Sequence, residues 1–289
     1  MAQGGTPVVQ QRRLRTELRR AREEAGRTQK DVARDLGWSP SKVIRIETGA
    51  ATVSTSDTMA LLHYYNITEP ERVEELLSVT RAKESSWWEE YRDIYGQQFL
   101  NFLAYEDSAT KIRQFQGVKF PGLLQTEDYA RVLLGNYMND QHAIDRGTKV
   151  RMRRQHLLER ANSPEMSFIL DEAVIHRWVG GYDVTRKQLQ RLKVLSEKPN
   201  ISIRIVPYTA GVHPGMNGSF AIYEFSSADE DYVVNAEEPN SDVLIRDNPE
   251  STSNYVEAFS ELQEIALSEN DSIQLLDSVI AEMGAPTKD

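Results

Sequence analysis

The stretch from Thr28 to Gly49, TQKDVARDLGWSPSKVIRIETG, leaves itself few ways to fold. Thr28 and Asp31 stand three apart as a capping box. The Thr hydroxyl accepts from the backbone N–H of Asp31 and the carboxylate accepts in return, so a helix is expected from Gln29 to Leu36. Gly37 supplies the positive φ that ends a helix in a tight turn, which Trp38 is expected to plug. Ser39 followed by Pro40 starts a second helix through about Glu47, because proline at the first helical position gives up no hydrogen bond. Gly49 closes it. Upstream, Leu14, Leu18, Ala21 and Ala25 keep helical spacing. They predict an amphipathic helix from about Gln10 to Ala25, ended by Gly26, with Arg12, Arg13, Arg19 and Arg20 largely outside.

Two short helices joined by a glycine turn make a helix-turn-helix, a unit that presents its second helix to the major groove of a duplex. Val32, Ala33 and Leu36 of the first helix can meet Val43 and Ile46 of the second, and the small Ala33 permits a close crossing. The outward face of the second helix is then expected to hold Ser41, Lys42 and Arg45, which are donors of the kind a base edge or a phosphate requires. Charge is distributed to match. The whole chain carries −10, but residues 1–49 hold eleven Lys and Arg against six Asp and Glu, and the remainder holds 23 against 38. A basic head on an acidic body suggests a nucleic-acid module attached to something that does not bind nucleic acid.

The Thr-Gln opening, the Ala, the turn Gly and the closing Ile-Glu-x-Gly resemble the lambda-repressor-like class of helix-turn-helix, the XRE family. That resemblance implies a compact all-α domain of five helices, and two further helical stretches do follow. One runs around Ser56 to Tyr65 and one from Pro70 onward, with Thr68 and Glu71 as another capping box. It implies that Gln29 holds a phosphate and orients the reading helix, that base contacts map to Ser39, Pro40, Ser41 and Arg45, and that Lys42 lies beside a phosphate. With Thr28, these are the expected DNA-binding residues. Pro40 departs from the polar residue of many relatives and offers at most an apolar contact to a thymine methyl. Arg45 is the first choice for bidentate reading of guanine, worth roughly 1–3 kcal/mol of discrimination. Arg22 and Glu47 match a pair that braces the motif as an ion pair.

Residues 1–8 are expected to be a disordered tail, 9–80 the helix-turn-helix domain, 81–100 an aromatic-rich linker and 101–285 a larger domain. Trp87, Trp88, Tyr91 and Tyr95, in SSWWEEYRDIYG, bury large areas and are expected to pack the two domains together. FPGLLQTEDYARVLL, residues 120–134, reads as a Pro-Gly turn and then a helix capped by Thr126. Met166 to Leu170, Ile201 to Pro207, Gly218 to Phe225 and Tyr232 to Val234 have strand character, while Val184 to Leu195 and Ser253 to Leu267 have helical spacing. The fold class is therefore α+β, an all-α head with a mixed α/β body. A basic run from Arg146 to Arg154, containing Lys149, Arg151 and Arg153, reads as a solvated helix face or a contact for DNA or an acidic partner.

Several of these segments, with EMSFILDEAVIHRWVGG and NISIRIVPYTAGVHPGMNGSFAIYEF, resemble the C-terminal domain of actinobacterial regulators of the DUF5753 or Scr1 type. That resemblance implies a transcription regulator whose body senses a signal or binds a small protein of the DUF397 type. The alternative it leaves open is an antitoxin-like protein that sequesters such a partner and uses DNA binding for autoregulation. A homodimer on double-stranded promoter DNA follows from the class, since one small head touches too few bases.

The chain has no cysteine, no Gly-x-Ser-x-Gly, no Walker glycine loop and no His-Glu-x-x-His. His63, His142, His156, His176 and His213 lack ligand spacing, so neither a metal nor a cofactor is expected, and no enzyme activity. His213, in a Gly and Pro loop before a strand, is the one histidine placed to line a pocket, although a structural loop is the expected reading; the pair Glu237 and Glu238 reads as an acidic loop. Met1 to Pro7 lacks the pattern of a signal peptide and no stretch approaches a membrane span, so the cytoplasm is the expected location.

Overall fold

The computed structural model describes residues 6–49, 51, 53–81, 86–138, 140–225, 232–238, 241–246 and 249–283. The chain divides into two compact units, Met1–Ser86 and Trp87–Asp289. Residues 1–5 of the expected tail and 82–85 of the expected linker lie outside the described residues.

The first unit is built from α1 (Pro7–Glu24), α2 (Gln29–Asp35), α3 (Pro40–Glu47), α4 (Thr55–Tyr64) and α5 (Pro70–Arg81). Helix α1 begins at Pro7, within the stretch expected to be a tail, because proline in the first turn of a helix sacrifices no bond. Its face is also more inward than expected: Arg12 is only 4% exposed and Arg13 and Arg19 are half-buried, leaving Arg20 outside. The capping box of α2 is complete in both directions, and Gly37 takes φ +67°. Ser39 accepts from the N–H of Lys42 and Ser54 from that of Asp57, so side chains satisfy the N-termini of α3 and α4. Helix α5 starts at Pro70, one residue later than a box on Thr68 requires.

Leu14, Leu18, Val32, Ala33, Val43, Ile46, Leu61, Leu62 and Leu76 form one core, with Leu36 and Trp38 packed at its edge. Ala33 sits nearly fully buried between the crossing helices, where added methylenes cost about 1–3 kcal/mol.

The second unit is a mixed sheet with helices. Its elements are α6 (Gln97–Ser108), β1 (Lys111–Gln116), α7 (Glu127–Tyr137), α8 (Gln141–Arg154), β2 (Glu165–Asp171), α9 (Glu172–His176), α10 (Gly181–Ser196), β3 (Ile201–Val206), β4 (Phe220–Glu224), β5 (Tyr232–Glu238), β6 (Ser241–Arg246), α11 (Pro249–Ile265) and α12 (Glu269–Glu282). Among the described residues six strands follow the order β3-β2-β1-β4-β5-β6. Strands β1, β2 and β3 run parallel, Ile112 opposite Met166 and Met166 opposite Ile201, and β4 to β6 are antiparallel. Helices connect the parallel strands, as parallel pairing requires.

One face of the sheet, with Phe115, Ile169, Phe220, Ile222 and Val234, packs on Phe259 and Leu262 of α11. The other face carries Ile112, Phe168, Leu170, Ile203 and Tyr223, all buried. Burial of both faces explains the near-continuous apolar β2 and β3. Central β1, KIRQFQ, is the exception. Arg113 is ion-paired with Glu224 at 2.7 Å and lies over the Tyr232 and Phe259 rings, and the amide of Gln116 donates to Glu237 at 2.9 Å. No helix of the described residues is long and apolar enough to cross a membrane.

Candidate nucleic-acid interface

Glu47, the last residue of α3, is the anchor of the interface. Its side chain is buried, and residues of both α1 and α2 converge on it. Arg22 of α1 donates Nε to Oε1 at 2.7 Å and Nη2 to Oε2 at 3.1 Å, a bidentate pair. Gln29, at the start of α2, donates Nε2 to Oε2 at 2.8 Å. Arg19 donates to the Glu47 carbonyl at 3.2 Å. Arg22 also donates Nη1 to the Arg27 carbonyl at 2.9 Å, tying in the turn before α2. The Glu47 bonds hold the Arg22 guanidinium above its already high range. Burial pushes the nearby Tyr65 phenol up, and the Glu47 charge adds to it. A buried carboxylate is stable only when so paired, and the pairing fixes the angle of α3.

Helix α3 presents Ser41, Ile44 and Arg45 to solvent, with Ser39 and Pro40 exposed at its start and Thr48 exposed just past its end. Ser39 caps the helix, so its hydroxyl already serves the backbone. Arg45 reaches back to the Ser41 carbonyl at 3.3 Å and remains exposed. Thr28 is likewise occupied by its capping box with Asp31.

One residue differs from expectation. Lys42 does not belong to the outward row: its ammonium pairs with Asp57 at 2.7 Å and lies 3.9 Å from the centre of the Trp38 ring. A lysine that finds both a carboxylate and an aromatic face in its own unit is folded back rather than projected. Ile44 takes the place in that row, 43% exposed between Ser41 and Arg45. Its spacing, three residues after Ser41, is the sequence signal that marks it as outward.

Three arginines of the basic run are committed to neighbours in their own unit. Arg146 pairs with Asp93 and stacks over Tyr91, Arg153 pairs with Glu90 at 2.9 Å and stacks over Trp87, and Arg154 grips Glu106 with two bonds of 2.7 Å. Trp88 and Tyr91 are buried, and Tyr95 stacks on Phe99 at 4.1 Å. The aromatic segment expected to join the two domains is thus part of the second unit's own packing, held by the basic face of α8.

His213 is tied to Asp171 at 3.1 Å and packs edge-on against Phe115, on which Gly215 also rests. Asp171 meanwhile caps α9 and Glu172 accepts from the Tyr208 N–H at 2.7 Å, so these carboxylates hold loops. Glu237 accepts from Gln116 and Lys119, while the Glu238 side chain lies outside the described residues. Among the described residues no three His, Asp or Glu side chains come together as metal ligands.

A family model of a helix-turn-helix domain matches residues 13–76, which span the Glu47 anchor and the outward row of α3. A second, of a domain of unknown function (DUF5753), matches residues 99–278. A search of curated proteins finds no match. With more than half of its length matched, the chain belongs to the DUF5753 family and carries a helix-turn-helix domain ahead of the family's domain.

Proposed function

We propose that the protein is a sequence-specific DNA-binding transcription regulator of the cytoplasm, whose first unit reads promoter DNA and whose second unit receives a signal or a small partner protein. The observation that carries this reading is the exposed row Ser41, Ile44 and Arg45 on a helix whose angle is set by the buried Glu47 anchor. A duplex reader needs both parts, side chains free to meet base edges and a scaffold that does not yield when they do.

Within this reading Arg45 reads guanine through O6 and N7, Ser41 makes an adjacent polar contact, and Ser39, Pro40 and Thr28 line the approach. Gln29 has one amide hydrogen engaged by Glu47 and its second available for a phosphate, so it couples backbone grip to helix orientation. Lys42 contributes to the local positive field, but a direct phosphate contact requires it to leave Asp57. A homodimer on a pseudo-palindromic site supplies the contact area that one head lacks.

Gel-shift titration against the DNA upstream of its own gene tests the reading. A preferred site is expected, bound at least a thousandfold more tightly than random duplex, in keeping with the usual specific-to-nonspecific ratio of about 10³ or more. Uniform weak binding that vanishes with salt contradicts it.

A further inference from the structure

Arg151, on α8, is a cation of the second unit whose hydrogen-bond partner does not match its charge. It is half-buried, and the acceptor it finds is the neutral Oε1 of Gln125 at 3.0 Å. No carboxylate among the described residues lies within ion-pair distance of it. Burial, with the like charge of Arg154 beside it, pushes its guanidinium down to about 10. Removing a guanidinium from water without a counter-ion is costly.

Geometry says where. Gly122 lies in the Pro-Gly turn after β1 and faces both arginines: a Cβ there would stand 2.9 Å from Arg151 Nη1 and 2.9 Å from Arg154 Nη1. The backbone of Gly122 has no positive φ, so the glycine is needed for space rather than conformation. Arg154 spends Nε and Nη2 on Glu106, which leaves Nη1, the nitrogen nearest Gly122, without an acceptor among the described residues. Gln155 fixes the turn by donating to the carbonyls of Gly122 and Gln125 at 3.2 and 2.6 Å. The other carboxylate acting on Arg151, Glu237, is held by Gln116 and Lys119. Lys119, Arg151 and Arg154 therefore face Glu106 and Glu237, one positive charge in excess.

We infer that Gly122, Arg151 and Arg154 form a binding site for a small anionic group, a carboxylate or a phosphate, on the second unit. The anion takes the free Nη1 of Arg154 and the unpaired edge of Arg151, which approach each other at the turn because Gly122 has no Cβ. Charge-assisted hydrogen bonds of this kind are the strong ones, and paired guanidinium groups are suited to planar or tetrahedral oxyanions. This inference does not depend on the DNA-binding reading.

Titration calorimetry and thermal unfolding of the full chain with sodium phosphate and with sodium acetate, against chloride at equal ionic strength, test the site. A saturable response is expected from at least one anion. Phosphate alone marks a phosphoryl ligand, and acetate marks a carboxylate. Arg151→Met weakens the response about tenfold or more, the loss of one charge-assisted bond. Gly122→Ala forces both guanidinium tips out of their places while keeping both charges. Its Cβ meets only the ends of flexible side chains, so this variant folds and decides the matter if Arg151→Met does not. No response beyond chloride overturns the inference. A response unchanged in Gly122→Ala also overturns it, since the anion then binds elsewhere, for example at the arginines of the first unit.

Discussion

The amide of Gln29 donates to the carboxylate of Glu47 at 2.8 Å, joining the first residue of α2 to the last residue of α3. The same carboxylate receives both arms of Arg22, so three of the five helices of the first unit are fixed at one point. Glu47→Ala leaves a largely buried guanidinium without its partner. We expect a loss of about 3 kcal/mol in stability, measured by chemical denaturation. Gln29→Ala removes one neutral donor and costs about 1 kcal/mol, while DNA affinity falls by a similar factor for all sequences. A change in base preference in Gln29→Ala contradicts the assignment of that residue to the backbone.

Arg45 carries base selection in the proposed interface. Binding-site selection with Arg45→Ala is expected to return sites in which one guanine per half-site is no longer required, with discrimination at that position reduced by roughly 1–3 kcal/mol. Identical preferences for the two proteins refute it as a reader.

Ile44 offers an apolar surface to the same groove, and the apolar feature of a base edge is the thymine methyl. Replacing thymine by deoxyuridine at one half-site position next to the guanine read by Arg45 is expected to weaken binding several-fold for the wild type and not for Ile44→Ala. Equal sensitivity of both proteins assigns the methyl contact to another residue.

Much of the first unit is legible because its boundaries are chemical. Thr28 with Asp31, Gly37, and Ser39 with Pro40 each satisfy or end a helix through local bonds, and local bonds depend on neighbours in sequence. The anchor is legible only by resemblance, because nothing local links Arg22 to Glu47. Lys42 turns from the outward row, and Ile44 stands in it, for a related reason. Residue type suggests that lysine projects and isoleucine hides, but Lys42 finds Asp57 and Trp38, and helical position turns Ile44 outward. In the second unit β1 escapes reading because KIRQFQ is polar for a central strand, and its partners Glu224 and Glu237 lie about a hundred residues away. The α8 arginines read as a free basic face until Asp93, Glu90 and Glu106 fold onto them.

Acid should weaken the first unit through two aspartates. The Thr28 hydroxyl and backbone hold the Asp31 carboxyl below its ordinary range, and the Tyr64 hydroxyl with Arg34 does the same for Asp35. A carboxyl whose folded pKa is depressed stabilises the fold above its unfolded value, and that contribution is lost as pH falls through the lowered folded value. Asp31→Asn and Asp35→Asn are therefore expected to flatten the acid limb of the stability curve while leaving its neutral-to-alkaline shape unchanged. An unaltered acid limb in the double variant contradicts the assignment.

The central claim is that the row on α3 reads bases rather than simply resting on phosphates. Its most direct test is the affinity of the full chain for its selected site and for a scrambled duplex across a salt series, in wild type and Arg45→Ala. The account predicts that added salt weakens wild-type binding to both duplexes while the gap between them persists, and that Arg45→Ala narrows the gap. A wild-type protein that binds the two duplexes equally at every salt concentration contradicts it.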